Sequence, residues 1–241
     1  NIQNKDFQWT TDLTYSYCKT TITDLMSTSR VIDLVSSSGF ALEGYPHRAL
    51  FSIPFVGLND EGLPMIINEK GEVTTTDINF QEFQNTSFLK YEGPTEPTTT
   101  GGLNNMFRYK NWRLNVFVTY SFGNKLRLDP VFAAGYSDMS AMPKEFKNRW
   151  VMPGDEKYTD IPTIASVRQY YNDNQLSFAY NAYNYSSARV ADGGFIRLKN
   201  VSLTYDIPKT FLAKIGLNTA SLKLDATNLL PLNADDKLNG Q

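Results

Sequence analysis

One cysteine, one histidine and no apolar run longer than four residues bound what this chain of 241 residues can be. Cys18 has no partner, so no disulfide framework holds the fold. On an aromatic-rich stretch it reads as a small buried or lipid-facing residue. With His47 alone, a His-based triad or a multi-His metal site is hard to assemble, and no base lies beside Cys18. His47, between Pro46 and Arg48, reads as a surface residue. The longest apolar run, residues 131–134, falls far short of the ~20 residues of a membrane helix. Charge is scarce as well, at 20% of residues, with 23 basic and 25 acidic side chains giving a net charge of -2. No basic stripe is present, which sets nucleic acid aside. The opening NIQNKDFQWT lacks the charged, apolar and small-residue regions of a signal peptide. Gly-rich phosphate loops are missing too. Gly101-Gly102 and Gly193-Gly194 each open a strand pattern, where glycine permits a bend or a close backbone approach.

What the chain has instead is aromatic residues, 13% of the total with fourteen Tyr and fifteen Phe, in patterns of period two. In Trp112–Phe122 the alternate residues Trp112, Leu114, Val116, Val118, Tyr120 and Phe122 are apolar, and Arg113, Asn115, Phe117, Thr119 and Ser121 lie between them. The pattern predicts a strand with one greasy face. It is longer than the ~5–6 residues of an ordinary strand and matches the ~9–11 that cross a bilayer at a tilt. A second run closes with Phe107 and Tyr109, leaving Lys110-Asn111 as a two-residue hairpin turn. Residues 6–18 repeat the theme with Phe7, Trp9, Thr11, Leu13, Tyr15 and Tyr17 on one side, and aromatics near both ends suit the two girdles of a membrane barrel. Cross-strand aromatic packing in a soluble sheet gives the same pattern, and both readings stay open on this strand alone.

Further along, residues 27–39 read as a Ser-rich loop enclosing a short strand over 30–35. A strand is predicted over 48–56, with a bulge or an end at Pro54, which cannot donate to a ladder. Residues 57–64 and 68–72 read as turns around a short segment at 65–67, and 74–97 as a polar stretch. Residues 135–193 form the longest irregular region, with a single helix placed at 143–150. Residues 195–207 change phase near Lys199-Asn200, which predicts a bulge, and Pro208 ends that strand. Leu222, Leu224 and Ala226 mark a last strand that gives way at Asn228 and Pro231. The result is an all-β pattern of strands about ten residues long, with short turns on one side and long polar loops on the other.

Four segments in order carry a resemblance: GGLNNMFRYKNWRLNV from Gly101, NRWVMPGDEKYTDIP from Asn148, DGGFIRLKNVSLTYDIP from Asp192 and LKLDATNLL from Leu222. With them the chain resembles the C-terminal part of the SusC/RagA-like TonB-linked outer-membrane transporters. The resemblance covers most of the chain. It implies a 22-stranded antiparallel transmembrane β-barrel with long extracellular loops, an internal plug and a SusD-like lipoprotein lid. Such a protein imports oligosaccharides or peptides across the bacterial outer membrane with energy from the TonB complex. On this basis residues 1–241 are expected to be an internal piece of the barrel, with plug and final strands outside it, and residues 135–193 an extracellular loop region.

Within that expectation Trp112, Leu114, Val116, Val118, Tyr120 and Phe122 face lipid, and the Lys110-Asn111 turn lies at the periplasm. Tyr170, Tyr171, Tyr180, Tyr183 and Tyr185 are candidates for contact with the ligand or the lid, because tyrosine offers a ring face and a hydroxyl; stapling of the loop to the rim is the competing role. Asp155-Glu156 and Asp235-Asp236 are acid pairs that could hold calcium in a loop, although neither has EF-hand spacing. No cofactor and no catalytic residue is expected. A soluble β-sandwich that binds carbohydrate is the alternative.

Overall fold

The computed structural model describes residues 1–130, 144–165 and 175–240. The chain divides into two compact units. The first, Asn1–Cys18, Pro97–Phe122 and Gly194–Ala234, is a single antiparallel sheet. Its strands in spatial order are β1 (Ile2–Gln3), β2 (Phe7–Tyr17), β8 (Thr99–Tyr109), β9 (Trp112–Phe122), β12 (Phe195–Asp206) and β13 (Ser221–Asn233). Apart from β1 they are 11 to 13 residues long.

Each hairpin closes where the turn residues dictate. Tyr109 pairs with Trp112 across Lys110-Asn111, and Lys110 takes a left-handed φ of 51°. Asn111 then ties the turn to the next strand: its amide donates to the Asp206 carbonyl at 2.7 Å, and its own carbonyl accepts from Asp206 N. The predicted bulge appears in β12 between Leu198 and Asn200, where both neighbouring strands shift register.

The last strand departs from the sequence reading. β13 runs through Asn228 and Pro231, and does not give way there. Asn228 absorbs the irregularity in a left-handed conformation, φ 54°, and Pro231 stays in the ladder opposite Arg197.

The second unit, Lys19–Glu96, Gly123–Gly193 and Asp235–Gln241, holds the conventional core. Here β3 (Ala49–Ser52) pairs with β7 (Lys90–Pro94), β5 (Pro64–Ile67) lies between β4 (Phe55–Leu58) and β6 (Val73–Thr74) and pairs with both, and β10 (Lys125–Arg127) pairs with β11 (Val190–Asp192). Val31, Leu34, Val35, Phe51, Ile53, Ile66 and Leu89 are buried together. The strand predicted over 48–56 is interrupted at Ile53-Pro54, as Pro54 requires.

Four expectations are corrected in this unit. Residues 30–35 form a helical turn, α1 (Val31–Leu34), not a strand. Arg30 and Asp33 close it by hydrogen bonds from both the Arg30 backbone N–H and its guanidinium to the Asp33 carboxylate, and the turn places Val31, Leu34 and Val35 in the core. Residues 74–97 contain β7, whose register irregularity opposite Leu50/Phe51 hides the alternation. Residues 135–193 are not irregular throughout, since they include the helix α2 (Leu176–Asn184) as well as β11. The helix expected over 143–150 is a 3-10 turn at Lys144–Asn148, with Pro143 outside the described residues.

Arg189, 1% exposed, is the polar pin of this unit. Its guanidinium donates to Glu145 Oε1 and to the Asp129 carbonyl, both at 2.6 Å, and sits 5.8 Å from the centre of the Tyr183 ring. Truncation leaves a carboxylate and a carbonyl without their donor. Breaking a buried pair this way costs ~3–5 kcal/mol, and the partial exposure of Glu145 points to the lower end. Arg189→Ala should therefore lower stability by about 3 kcal/mol, read from a denaturant midpoint, and Arg189→Lys should recover only part of the loss.

Candidate functional site: a two-faced strand wall

Directly paired residues in an antiparallel sheet point to the same side. Following the register across the five long strands therefore gives the composition of each face. On one face the first row is Phe7, Tyr109, Trp112, Tyr205 and Leu222, and the second is Trp9, Phe107, Leu114, Leu203 and Leu224. Two aliphatic rows follow, Thr11, Asn105, Val116, Val201 and Ala226, then Leu13, Leu103, Val118, Leu198 and Leu230. The last rows return to aromatics with Tyr15, Tyr120 and Ile196, then Tyr17 and Phe122. Six rows two residues apart span ~33 Å along the strands, or ~25 Å if the strands tilt by ~40°.

This face is aliphatic in the middle and aromatic at both ends, and it is open: Leu13, Leu224, Leu230 and Leu232 are 60–67% exposed. The one polar cluster in the band is satisfied internally. Asn105 Oδ1 accepts from the Trp9 indole at 3.0 Å and from the Thr11 hydroxyl at 2.8 Å. Ring contacts stitch the first rows sideways, Trp9 on Phe107 at 5.7 Å and Trp112 on Tyr205 at 4.6 Å.

The opposite face is polar. One row reads Gln8, Arg108, Arg113, Thr204 and Lys223, and the next Thr10, Met106, Asn115, Ser202 and Asp225. Arg113 and Arg108 stand directly opposite each other, an unfavourable pairing relieved on one side by the Arg113–Asp206 ion pair at 2.8 Å. Trp112, Leu114, Val116, Val118, Tyr120 and Phe122 are thus brought together on one face with similar residues from four neighbouring strands.

Gly101 sits inside β8 and lets this face close tightly. A Cβ there would run into the Tyr120 ring and the Thr14 carbonyl, and the Tyr120 hydroxyl donates to that same carbonyl at 3.0 Å.

The tyrosine candidates fare differently. Tyr170 and Tyr171 lie outside the described residues. Tyr180 and Tyr183 are each 2% exposed on α2. The Tyr180 hydroxyl donates to the Thr163 carbonyl and accepts from Ala165 N, while the Tyr183 ring packs edge-on against Phe55. Burial raises the Tyr183 hydroxyl to a pKa of about 12. Tyr185 is half-buried between the Phe80 ring and the Arg127 guanidinium. Leu176, Ala179, Tyr180 and Tyr183 have the i, i+3, i+4, i+7 spacing of a helix face, the signal by which α2 is legible in the sequence.

The acid pairs are engaged by protein donors. Asp155 Oδ2 accepts from Val151 N and Met152 N, and Asp235 from Asp192 N and Lys237 N. Glu156 Oε2 accepts from the Trp150 indole and Gly154 N. Among the described residues no group of three or more His, Cys, Asp or Glu side chains is arranged to hold a metal. His47 lies on the surface, 3.7 Å from Glu96, and Cys18 is exposed, not buried.

No family model matches the chain. TonB-dependent receptor P3 of Formosa agariphila is 27% identical over 256 residues, 95% of this chain and 23% of the receptor. TonB-dependent receptor P39 of the same organism is 29% identical over 133 residues, 54% of this chain and 12% of that receptor. The structure of the RagAB peptide transporter superposes over 100% of this chain and 26% of its own with a TM-score of 0.68 at 21% identity. In sequence this chain is similar to TonB-dependent receptors, and in fold to the RagAB transporter. The RagAB peptide importer in the 'open-open' state gives a TM-score of 0.66, also at 21% identity, over 99% of this chain and 25% of that one. The chain thus spans about a quarter or less of the length of the relatives it matches. Those relatives are named receptors and transporters, not enzymes.

Two outcomes follow for the site. Gly101→Val should impair assembly of the sheet far more than Tyr120→Phe, which should cost about 1 kcal/mol for its one hydrogen bond; unfolding of the two variants compares them. Donation from its own backbone N–H, the Trp150 indole and Gly154 N–H holds the Glu156 carboxyl below its ordinary value of 4.5. A depressed carboxylate stabilises fully above that value and loses its contribution as pH falls through the folded pKa. Acid-side loss of stability should therefore be shallower in Glu156→Gln than in the native chain, measured by unfolding between pH 5 and 3, a window set by that downward shift.

Proposed function

We propose that this chain is wall and loops of a TonB-dependent outer-membrane importer, a barrel of 22 strands when complete. It takes up an oligosaccharide or peptide together with a SusD-like surface lipoprotein. The observation that carries this reading is the two-faced sheet. An aliphatic band with aromatic rows at both ends is ~25 Å tall when tilted, the height of the apolar belt of an outer-membrane barrel. In this reading Trp112, Leu114, Val116, Val118, Tyr120 and Phe122 face lipid, and the Arg113, Asn115 and Thr119 side faces the lumen.

Both long strands at the margins, β2 and β13, leave most of their outer backbone unpaired, which supports further barrel strands on either side. A β-sandwich would bury the apolar face under a second sheet, whereas its leucines are exposed.

The topology also supports an orientation. Both long excursions, residues 19–96 and 123–193, leave the sheet at the end marked by Tyr17 and Phe122 and return to it there. The tight turns at 4–6 and 110–111 lie at the other end. Long loops of such barrels are extracellular and short turns periplasmic, so the second unit belongs outside the cell. Ligand and lid contact falls in this reading to side chains other than Tyr180 and Tyr183, whose rings are interior. Calcium in the loops remains part of the proposal only where carboxylate oxygens are free of protein donors. The energy-coupling plug and the TonB contact lie outside these residues.

Charging each face in the full-length protein is the test. Val116→Arg should cost ~2–4 kcal/mol at the bilayer midplane and deplete folded, heat-modifiable barrel from the outer membrane. Asn115→Arg should assemble at the native level. The opposite pattern would put the polar face toward lipid and overturn the reading.

A further inference from the structure

The connection between β12 and β13, residues 207–220, is longer than its hairpin needs. Asp206 and Ser221 are directly paired, so the two strands have already met and a two-residue turn would close them, as it does at Lys110-Asn111. The connection instead folds on itself. Ile207 N donates to the Ala220 carbonyl, α3 (Lys209–Leu212) runs into a further 3-10 turn, and Leu217 N donates back to the Leu212 carbonyl. Leu212 is 2% exposed and is the buried side chain of the segment. Two other large apolar side chains point away from it: Phe211 is 58% and Leu217 51% exposed. The segment carries Lys209 and Lys214, both exposed, and no acidic residue.

We infer that residues 207–220 form an interfacial membrane anchor that lays Phe211 and Leu217 among phospholipids at the turn end of the wall and sets Lys209 and Lys214 against their phosphates. The inference rests on the barrel-wall reading. An anchored surface element of this kind combines aromatic and leucine side chains on one side with lysines on the other, and enters the headgroup and acyl boundary to a depth of ~5–10 Å. The position fits, because β12 and β13 deliver the segment beside Tyr205, Leu222 and Trp112, the aromatic row at that end of the apolar face. The anchor continues the apolar face outward from that row. Lysine stems lie along apolar surface while the ammonium groups stay in the polar layer, where anionic phosphates attract them. Next to the segment a cleft of about 480 Å³ is edged by Asn111, Lys209, Asn218 and Thr219, with room for a headgroup.

The full-length protein with Cys18→Ser and every cysteine outside these residues replaced, reconstituted into phosphatidylcholine vesicles with or without phosphatidylglycerol, tests this. An environment-sensitive fluorophore is attached at Phe211→Cys, at Lys110→Cys on the neighbouring turn, or at Val116→Cys on the apolar face. The label at 211 should emit to the blue, be quenched by lipids spin-labelled near the headgroup, and be several-fold less accessible to iodide than the label at 110. Lys209→Gln with Lys214→Gln should reduce that protection in the vesicles containing phosphatidylglycerol. Iodide reaching 211 as readily as 110, with 116 still in lipid, would overturn the anchor and leave the wall intact. A label at 211 shielded from iodide and from lipid quencher alike would mean that protein covers it, which also overturns the anchor. Iodide reaching 116 would remove the wall reading and the anchor with it.

Discussion

The sheet depends on lateral register. Because side chains alternate with period two, a slip of one residue in any strand would move its apolar set to the polar side. Eleven unbroken pairs between β2 and β8, and as many between β8 and β9, hold that register over the full strand length. The one shift, at Leu198/Asn200, occurs against both neighbours of β12 and restores the phase, so Ile196 and Leu198 fall on the same face as Val201 and Leu203. A bulge that looks like a defect in one strand is what keeps the face continuous across five.

Two kinds of stabilisation coexist in the chain. The sheet unit has almost no interior: its large side chains are exposed or half-exposed, and it is held by ladder hydrogen bonds, cross-strand ring contacts and the polar knot of Trp9, Thr11 and Asn105. Such a surface suits a solvent that is itself apolar, where an unsatisfied amide would be costly and an exposed leucine would not. The second unit is built the other way. It buries Val31, Leu34, Phe51, Ile53 and Ile66 in a common core and pays for its half-buried Arg127 and buried Arg189 with carbonyl and carboxylate partners. Desolvation lowers the Arg127 pKa to about 10, yet its guanidinium donates hydrogen bonds to the carbonyls of Phe51, Asn184 and Ser186.

The tyrosines show how composition misleads when the local period is missed. A Tyr-rich stretch between strands suggests a sticky loop, but Tyr180 and Tyr183 lie on the inward side of a helix and are interior residues. The acid pairs teach the same lesson, since their oxygens serve as acceptors for backbone N–H groups in tight turns. In both cases the sequence gives the residue type and the fold decides what surrounds it.

The sequence by itself determined the two-faced strands, the Lys110-Asn111 turn, the break at Pro54 and the bulge near Lys199-Asn200. Each follows from steric and hydrogen-bonding limits that act within a few residues. It also carried the resemblance, through four segments in order. Only the tertiary structure decided that residues 30–35 turn as a helix, that β13 continues through Pro231, that residues 90–94 form a strand and that Tyr180 and Tyr183 are buried. The reason is physical: each of these depends on a partner distant in the chain. Leu34 needs the core it enters, Pro231 needs Arg197 across the ladder, Lys90 needs Ser52 across the ladder, and the Tyr180 hydroxyl needs the Thr163 carbonyl.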